Sequence, residues 1–207
     1  MQKENLFQLK IKLVGVEPVV WRELIVSSDS TLFDLHVAIQ DAFEWEDSHL
    51  HQFILDDPFN CRTRLRFVSL PFLELAPEDA AGDERKICLS EQLHKPKNSI
   101  WYEYDFGDSW MHEITLQKIL PWNTFKKTPV LLDGANARLL EDCGGMCGYA
   151  DLLEVLADPK NPEHEGMLEW LGIEKASEFD PKKFDKTRVR FRDPKKYLKK
   201  FLNQFKT

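Results

Sequence analysis

Two histidines separated by one residue, His49 and His51, have the spacing of a metal-binding pair. Side chains two residues apart leave the same face of a β-strand, so both imidazoles can reach one ion. Imidazole nitrogen is a common ligand of divalent transition metals, and carboxylates or a water molecule complete the shell. The pair therefore predicts a divalent metal site, with zinc as the first candidate, provided that further ligands lie close by.

A turn later in the chain supplies such ligands. Residues 99–106 and 110–119 are rich in β-branched and aromatic types and flank a short turn, a pattern typical of a β-hairpin. Asp105, Asp108 and His112 surround that turn. In the alternative interpretation, the histidines form a polar ladder at the surface, and the aspartates stabilise the turn through hydrogen bonds to the backbone.

We expect these residues to line one cleft beside the hairpin. Trp45 and Trp110 adjoin the polar residues in the sequence and are predicted to flank a groove, whereas the other tryptophans are predicted to pack in the core. The predicted cleft consists of Trp45, His49, His51, Asp105, Asp108, Trp110 and His112.

Two functions suit this cleft. The favoured hypothesis is a binding or interaction module for a protein or a small-molecule ligand. The competing hypothesis is a metal-dependent hydrolase in which an aspartate of the cleft acts as general base. The predicted metal ligands of that enzyme are His49, His51 and His112.

The glycine-rich residues 141–148 form a second candidate site. The spacing of Cys143 and Cys147 suits a zinc knuckle, but a closed zinc site needs two further ligands. The glycines can instead shape a loop whose amides bind an anion at the start of a helix. A nucleophilic cysteine paired with His112 is a further alternative that the spacing does not favour. The favoured interpretation is a tight connection that only glycine accommodates.

Charge is distributed unevenly along the chain. The net charge is −7, yet residues 182–207 contain eleven Lys and Arg and two Asp, a local charge of +9, which leaves −16 for residues 1–181. One hypothesis is a nucleic-acid accessory protein whose basic tail contacts phosphates. Its predicted contacts are Arg188, Arg190, Arg192, Lys195 and Lys199. In the alternative hypothesis, the aromatic stripe of residues 194–205 docks on the acidic body of the protein. The negative charge of that body would repel a nucleic-acid duplex.

The order of predicted elements indicates an α+β fold: a largely antiparallel sheet, one early amphipathic helix and a C-terminal group of short helices. Strands are predicted over 7–13, 19–26, 49–56, 62–68, 99–106 and 110–119, with a smaller hairpin from 129–132 and 137–140. Helices are predicted over 32–43, 90–93, 149–156, 163–171 and 194–205, and a surface loop over 71–86. We expect one domain over residues 1–187, with a basic amphipathic helix in 188–207 docked on it.

Composition argues against several classes of protein. Four cysteines in 207 residues do not make a disulfide scaffold. No apolar run approaches the roughly 18 residues of a membrane span, and no apolar signal core follows the first residues. We therefore expect a cytoplasmic protein with reduced cysteines and no membrane association.

Three segments, in order, resemble one known family. They are residues 32–53 (LFDLHVAIQDAFEWEDSHLHQF), 102–116 (YEYDFGDSWMHEITL) and 143–172 (CGGMCGYADLLEVLADPKNPEHEGMLEWLG), followed by FDPKKFD at 179–185. Over residues 6–187 the chain is similar to the plasmid pRi open-reading-frame-three-like family, whose members are also known as TnpR-type passenger proteins of insertion elements.

The resemblance implies a single α+β fold and an association with plasmids or mobile elements, and it implies no defined activity. Cys147 departs from the Gly-Gly-Pro-Trp-Gly-Tyr-like motif of the family, and the basic tail extends past the usual end. A serine recombinase requires a nucleophilic serine in an arginine-rich setting, which this sequence lacks.

Overall fold

The computed structural model describes residues 5–59, 66–68 and 82–204. Its strands are β1 (Asn5–Leu13), β2 (Trp21–Ser27), β3 (His51–Ile54), β4 (Arg66–Val68), β5 (Gly82–Asp83), β6 (Ser99–Tyr104), β7 (Trp110–Pro121) and β8 (Val130–Ala135). They form a single sheet in the order β5-β4-β3-β6-β7-β1-β2-β8. Every pairing is antiparallel except that of β4 with β5.

Four α-helices complete the described part of the chain: α1 (Leu32–Phe43), α2 (Gly145–Ala157), α3 (His164–Leu171) and α4 (Pro194–Gln204). The predicted α+β class, with a largely antiparallel sheet, is therefore confirmed. None of the helices in these ranges is long and apolar enough to cross a membrane.

Strand β1 alternates between buried and exposed side chains. Leu9, Ile11 and Leu13 are fully buried, whereas Lys10 and Lys12 on the opposite face are exposed. β1 lies between β7 and β2, so its apolar face forms the middle of the core. Alternation of this kind fixes strand register, because a slip by one residue would move the apolar face into water.

Helix α1 begins at a capping box. The Oγ1 atom of Thr31 accepts the N–H of Asp34, and the carboxylate of Asp34 accepts the N–H of Thr31, an arrangement that satisfies two backbone donors at the helix start. Two polar residues of α1, His36 and Gln40, are buried and both contact the hydroxyl of Tyr102 on β6. The helix is therefore held to the sheet by a polar network as well as by apolar packing.

The predicted hairpin over residues 129–140 is wrong. Asp133 and Gly134 do not turn the chain but lie within β8, opposite β2. A side chain on Gly134 would lie within 2.6 Å of Phe184 and 2.8 Å of Arg22, so glycine is required here by close packing. The Asp-Gly pair, a common turn signal, thus marks a crowded strand position.

The structure differs from the prediction in two further segments, the strand predicted over 49–56 and the helix predicted over 90–93. The strand predicted over 49–56 begins only at His51, so His49 lies in the connection before it. Of the strand predicted over 62–68 and the loop predicted over 71–86, residues 62–65 and 71–81 lie outside the described residues. Residues 82–86 form β5 and a 3-10 turn. The predicted helix near residues 90–93 is a 3-10 turn, Leu89–Glu91.

The terminal helix α4 packs against α1. The ring of Tyr197 stacks on that of Phe33, with centroids 6.3 Å apart and an interplanar angle of 18°. Arg192, just before α4, binds the carboxylates of Asp41 and Asp47 through its side chain. Aromatic contacts and ion pairs together hold the end of the described chain against the body.

Candidate metal-binding site

Three loops meet beside the start of β3 and the end of β6, and they bring together an imidazole and three carboxylates. His49 lies just before β3, Asp105 lies in the turn between β6 and β7, and Glu141 and Asp142 precede α2. The antiparallel pairing of β3 with β6 explains the first contact, since the N–H of Asp105 donates to the carbonyl of Leu50 at 2.9 Å. The glycine-rich loop then adds its two acids from the other side.

The Nε2 atom of His49 is the point on which these carboxylates converge. It lies 3.3 Å from Oε2 of Glu141, 3.3 Å from Oδ1 of Asp142 and 3.7 Å from Oδ2 of Asp105. Nε2 is itself buried and makes no hydrogen bond. One ligand atom each from His49, Asp105 and Asp142 lies within 4.8 Å of the others.

The two shortest of these separations, from Nε2 of His49 to Glu141 and to Asp142, match those of ligands around a small cation. In a tetrahedral zinc site with bonds of about 2.0–2.1 Å, neighbouring ligand atoms lie roughly 3.3–3.4 Å apart. Carboxylates of like charge repel one another when no cation lies among them. The donor set of one imidazole nitrogen and several carboxylate oxygens therefore fits a divalent cation such as zinc.

Asp105 is held so that one of its oxygens builds the turn and the other faces His49. Its Oδ1 accepts the N–H of Gly107 at 2.9 Å, and its carbonyl accepts the N–H of Ser109 at 2.6 Å. Asp105 and Asp142 both have left-handed backbones, with φ of 59° and 57°. Such conformations are uncommon for residues other than glycine and persist where the surrounding structure enforces them.

Glu141 is the most firmly held of the three acids. Its two oxygens accept hydrogen bonds from the N–H of Glu46 at 2.5 Å, the hydroxyl of Ser48 at 2.6 Å and the hydroxyl of Tyr104 at 3.0 Å. Burial raises the pKa of Tyr104, so its hydroxyl stays protonated and donates. Glu141 is thereby fixed beside His49 as a support for the cluster.

Sequence reasoning did not assign Glu141 and Asp142 to this site. Both belong to the segment that was considered for its cysteines and glycines. The sequence offers one signal for assigning them, because two adjacent acidic residues stand just before the glycines. The contact of that loop with the end of β6 depends on the fold and cannot be read from the sequence.

The glycines of the loop are required by close contacts. A side chain on Gly145 would lie 2.6 Å from the carbonyl of Asp108, and one on Gly148 would lie 1.8 Å from the carbonyl of Cys143. Burial and the charge of Asp108 raise the pKa of Cys143 to about 11, so this thiol is protonated at neutral pH. Within the described ranges, the group of metal-ligand atoms contains neither Cys143 nor Cys147.

His51 lies apart from the cluster. Its Nε2 atom contacts the carboxylate of Glu84 at 2.9 Å, and its ring stacks on that of His36, with centroids 3.6 Å apart and an angle of 5°. His36 in turn contacts Asp47 at 3.1 Å. The expected pairing of His49 with His51 around one ion is not seen, because the strand begins only at His51 and Nε2 of His51 contacts Glu84 and not the carboxylates around His49.

His112 is also separate from the cluster. It is fully buried, and its Nδ1 lies 3.0 Å from the carbonyl of Trp110, to which it donates, while its Nε2 accepts the indole N–H of Trp45 at 3.3 Å. Burial lowers its pKa to about 4. Trp45 and Trp110 are buried as well, so these three residues form part of the core beneath the cluster. Asp108 has a buried Oδ2 without a hydrogen bond and lies against the glycine loop.

A family model of plasmid pRiA4b ORF-3-like proteins matches residues 5–188. The chain belongs to this family. An uncharacterized protein of Sinorhizobium fredii (strain NBRC 101917 / NGR234), y4hQ, is 33% identical over 177 residues, which span 85% of this chain and 84% of that protein. The crystal structure of MM3350, a protein of unknown function from Methanosarcina mazei Go1, is similar with a TM-score of 0.77 and 34% identity, and covers 92% of this chain and 100% of that one.

In this member of the pRiA4b ORF-3-like family, two cavities adjoin the cluster. A small one of about 180 Å³ lies between α1, β3 and α4, with the ring of His49 in its wall. A larger groove of about 390 Å³ lies between α2 and α3, with Asp142 at its edge. The cluster therefore has space on two sides, and the exposed side chain of Asp142 opens it toward the groove.

The basic residues proposed for nucleic-acid contact differ in their surroundings. Arg192 is bound to Asp41 and Asp47, and Arg190 donates to the carbonyls of Thr187 and Val189. The remaining residues of the predicted set are exposed: Arg188, Lys195 and Lys199.

Proposed function

We propose that this protein is a ligand-binding module whose ligand is held by a divalent cation, with zinc as the first candidate. His49, Asp105 and Asp142 supply the protein ligands, and Glu141 lies against them. The observation that carries the proposal is the buried Nε2 atom of His49, which makes no hydrogen bond although three carboxylates surround it at 3.3–3.7 Å.

Three protein ligands leave room for an external one. A structural zinc site is closed by four protein ligands, whereas a site with three keeps a position for water or for a bound molecule. The side chain of Asp142 is 75% exposed, so the free position faces solvent and the groove between α2 and α3. This geometry suits recognition of a molecule that offers an oxygen or nitrogen to the cation.

The test is the zinc content of the purified protein after equilibration with zinc and removal of free ion. We expect about one zinc per chain in the native protein and a loss of most of it in His49→Ala. The matched control is His94→Ala, which removes an exposed histidine elsewhere on the chain and should retain the metal. Equal zinc content in both variants, or no zinc in the native protein, would contradict the proposal.

Metal-dependent hydrolysis is the second candidate function. It is favoured by the same open position, because a water bound to zinc there would have its pKa lowered toward 7. Its expected ligands now differ from the set proposed from sequence, since His51 and His112 lie elsewhere. Zinc-dependent hydrolysis of an activated ester by the native protein, absent in His49→Ala, would favour the enzyme over the simple binding module.

A further inference from the structure

The groove beside Asp142 deepens the proposed function, because it indicates which ligand the cation would hold. The groove lies between α2 and α3 and has a volume of about 390 Å³, within the roughly 300–1,000 Å³ of small-molecule sites. Its walls are mainly apolar: Leu152, Pro162, Met167 and Trp170. Trp170 is 52% exposed and adds a large aromatic surface to the groove.

Asp142 joins the groove to the cation. Its Oδ1 lies 3.3 Å from Nε2 of His49, and the same residue forms the edge of the groove. The groove is therefore within reach of a molecule coordinated at the free position of the cation. An apolar group placed there would be shielded from water by Trp170 and Met167, which favours its binding.

The charges around the cation select the polar end of the ligand. Asp105, Glu141 and Asp142 together carry three negative charges, so a divalent cation leaves the cluster with a net charge of about −1 when His49 is neutral. The carboxylate of Glu163 adds negative charge at the groove. A phosphate or a free carboxylate would meet repulsion here, whereas the neutral carbonyl oxygen of an amide would not.

We propose that the ligand is amide- or peptide-like, with a carbonyl oxygen on the cation and a large apolar side group in the groove between α2 and α3. The inference rests on the proposed function, because the cation orients the amide. The groove indicates that the ligand is neutral and largely apolar. The cluster by itself indicates only that the ligand offers an atom that coordinates the cation.

Gly166 offers a way to test the groove without disturbing the cluster. It lies on α3 and lines the groove, and a side chain added there meets no atom within 4 Å. Gly166→Leu should therefore fill the groove while the fold and the cation ligands stay intact. Met167 in the groove and Met111 on β7 provide two methyl reporters, and the chain contains only four methionines.

The experiment is a titration of the zinc-loaded protein, labelled with ¹³C at the methionine methyls, with N-acetyl-phenylalaninamide. We expect a saturable shift of the Met167 resonance, no shift of Met111, and at least tenfold weaker binding in Gly166→Leu at unchanged zinc content. We also expect tenfold weaker binding of 3-phenylpropanoate, which has the same aromatic group but carries a charge.

Three results would overturn the inference. If the anion binds as tightly as the amide, the charge argument is wrong. If Met167 responds equally in His49→Ala, the groove and the cation do not share a ligand. If zinc is bound but Met167 does not respond at millimolar amide, the ligand class is wrong while the metal site stands. Absence of zinc from the native protein would instead overturn the proposed function itself, and the zinc content of the same sample separates the two failures.

Discussion

The Nε2 atom of His49 lies 3.3 Å from Oδ1 of Asp142, although one residue precedes β3 and the other precedes α2. Nε2 of His49 makes no hydrogen bond, and its separation from Asp142 is close to the spacing of two ligands on one zinc ion. Two loops far apart in the sequence are thus held at a separation that suits two ligands of one cation.

Asp142→Asn should weaken zinc binding by about 10- to 100-fold. The substitution keeps the size of the side chain but removes one of the negative charges that attract the cation. Calorimetric titration with zinc measures the change. Asp151→Asn on α2 alters an exposed aspartate outside the cluster and serves as the matched control, and equal affinity in the two variants would refute the assignment.

Glu141→Gln should reduce both zinc affinity and stability. The two oxygens of Glu141 accept hydrogen bonds from the N–H of Glu46 and from the hydroxyls of Ser48 and Tyr104, and an amide nitrogen can accept none of them. We expect a loss of about 1–3 kcal/mol in the free energy of unfolding of the zinc-free protein, measured by urea denaturation.

The companion variant Tyr104→Phe removes only one of those donors. It should cost less stability than Glu141→Gln and should keep most of the zinc affinity. If Tyr104→Phe abolished zinc binding while Glu141→Gln left it intact, the supporting role of Glu141 would be wrong.

His51→Ala should lower stability and leave the zinc content near one per chain. His51 stacks on His36 and contacts the buried carboxylate of Glu84, so its removal leaves that carboxylate without its partner, at a cost of about 3 kcal/mol. Urea denaturation and metal analysis of the same sample test both parts. Loss of zinc from a variant that remains folded would restore the His49–His51 pair as the metal site.

Stability should fall as the pH is lowered from 7 to 4. Burial lowers the pKa of His112 to about 4, whereas a histidine in the unfolded chain has a pKa of about 6.5. Between these values the unfolded state binds more protons, so the free energy of unfolding decreases as the pH falls. The contribution of His112 at pH 5 is a loss of about 2 kcal/mol relative to pH 7.

Burial also lowers the pKa of His36, with a further decrease caused by His51, and His36 therefore adds to the same trend. Urea denaturation at several pH values measures the slope. His112→Gln, though less stable at pH 7, should show a shallower slope, and parallel curves for the two proteins would contradict the assignment.

Two glycine substitutions should have opposite effects. Gly134→Ala places a methyl group against Phe184 and Arg22, and Arg22 cannot move freely because it donates to backbone carbonyls, among them that of Ala42. We expect a loss of about 1–3 kcal/mol. Gly166→Ala on α3 meets nothing and should stabilise the helix by up to about 1 kcal/mol. Thermal unfolding of both variants tests the pair.

The sequence predicted those features that depend on local patterns. The alternation of Leu9 and Ile11 with lysines gave β1, and Thr31 with Asp34 gave the start of α1. The Asp-Gly pair ending at Gly134 failed as a turn signal because its true constraint, the contact with Phe184, is made by a distant residue.

The candidate site likewise contains residues that the sequence predicted and one that it did not. His49 and Asp105 were predicted to line one cleft, and Nε2 of His49 lies 3.7 Å from Oδ2 of Asp105 because β3 pairs with β6. Asp142 was missed, since nothing in the local pattern tells where the glycine loop returns. The strand spacing assumed for His49 and His51 does not apply, because the strand begins only at His51, two residues after His49.

X-ray absorption spectroscopy of the zinc-loaded protein identifies the atoms bound to the metal and so tests the proposed site directly. We expect a first shell of nitrogen and oxygen only, at about 2.0–2.1 Å, with the outer-shell signal of one imidazole that disappears in His49→Ala. Sulfur ligands at about 2.3 Å would place the metal on Cys143 and Cys147, and signals from two or more imidazoles would place it on His51 or His112. Either result would contradict a site built from His49, Asp105 and Asp142.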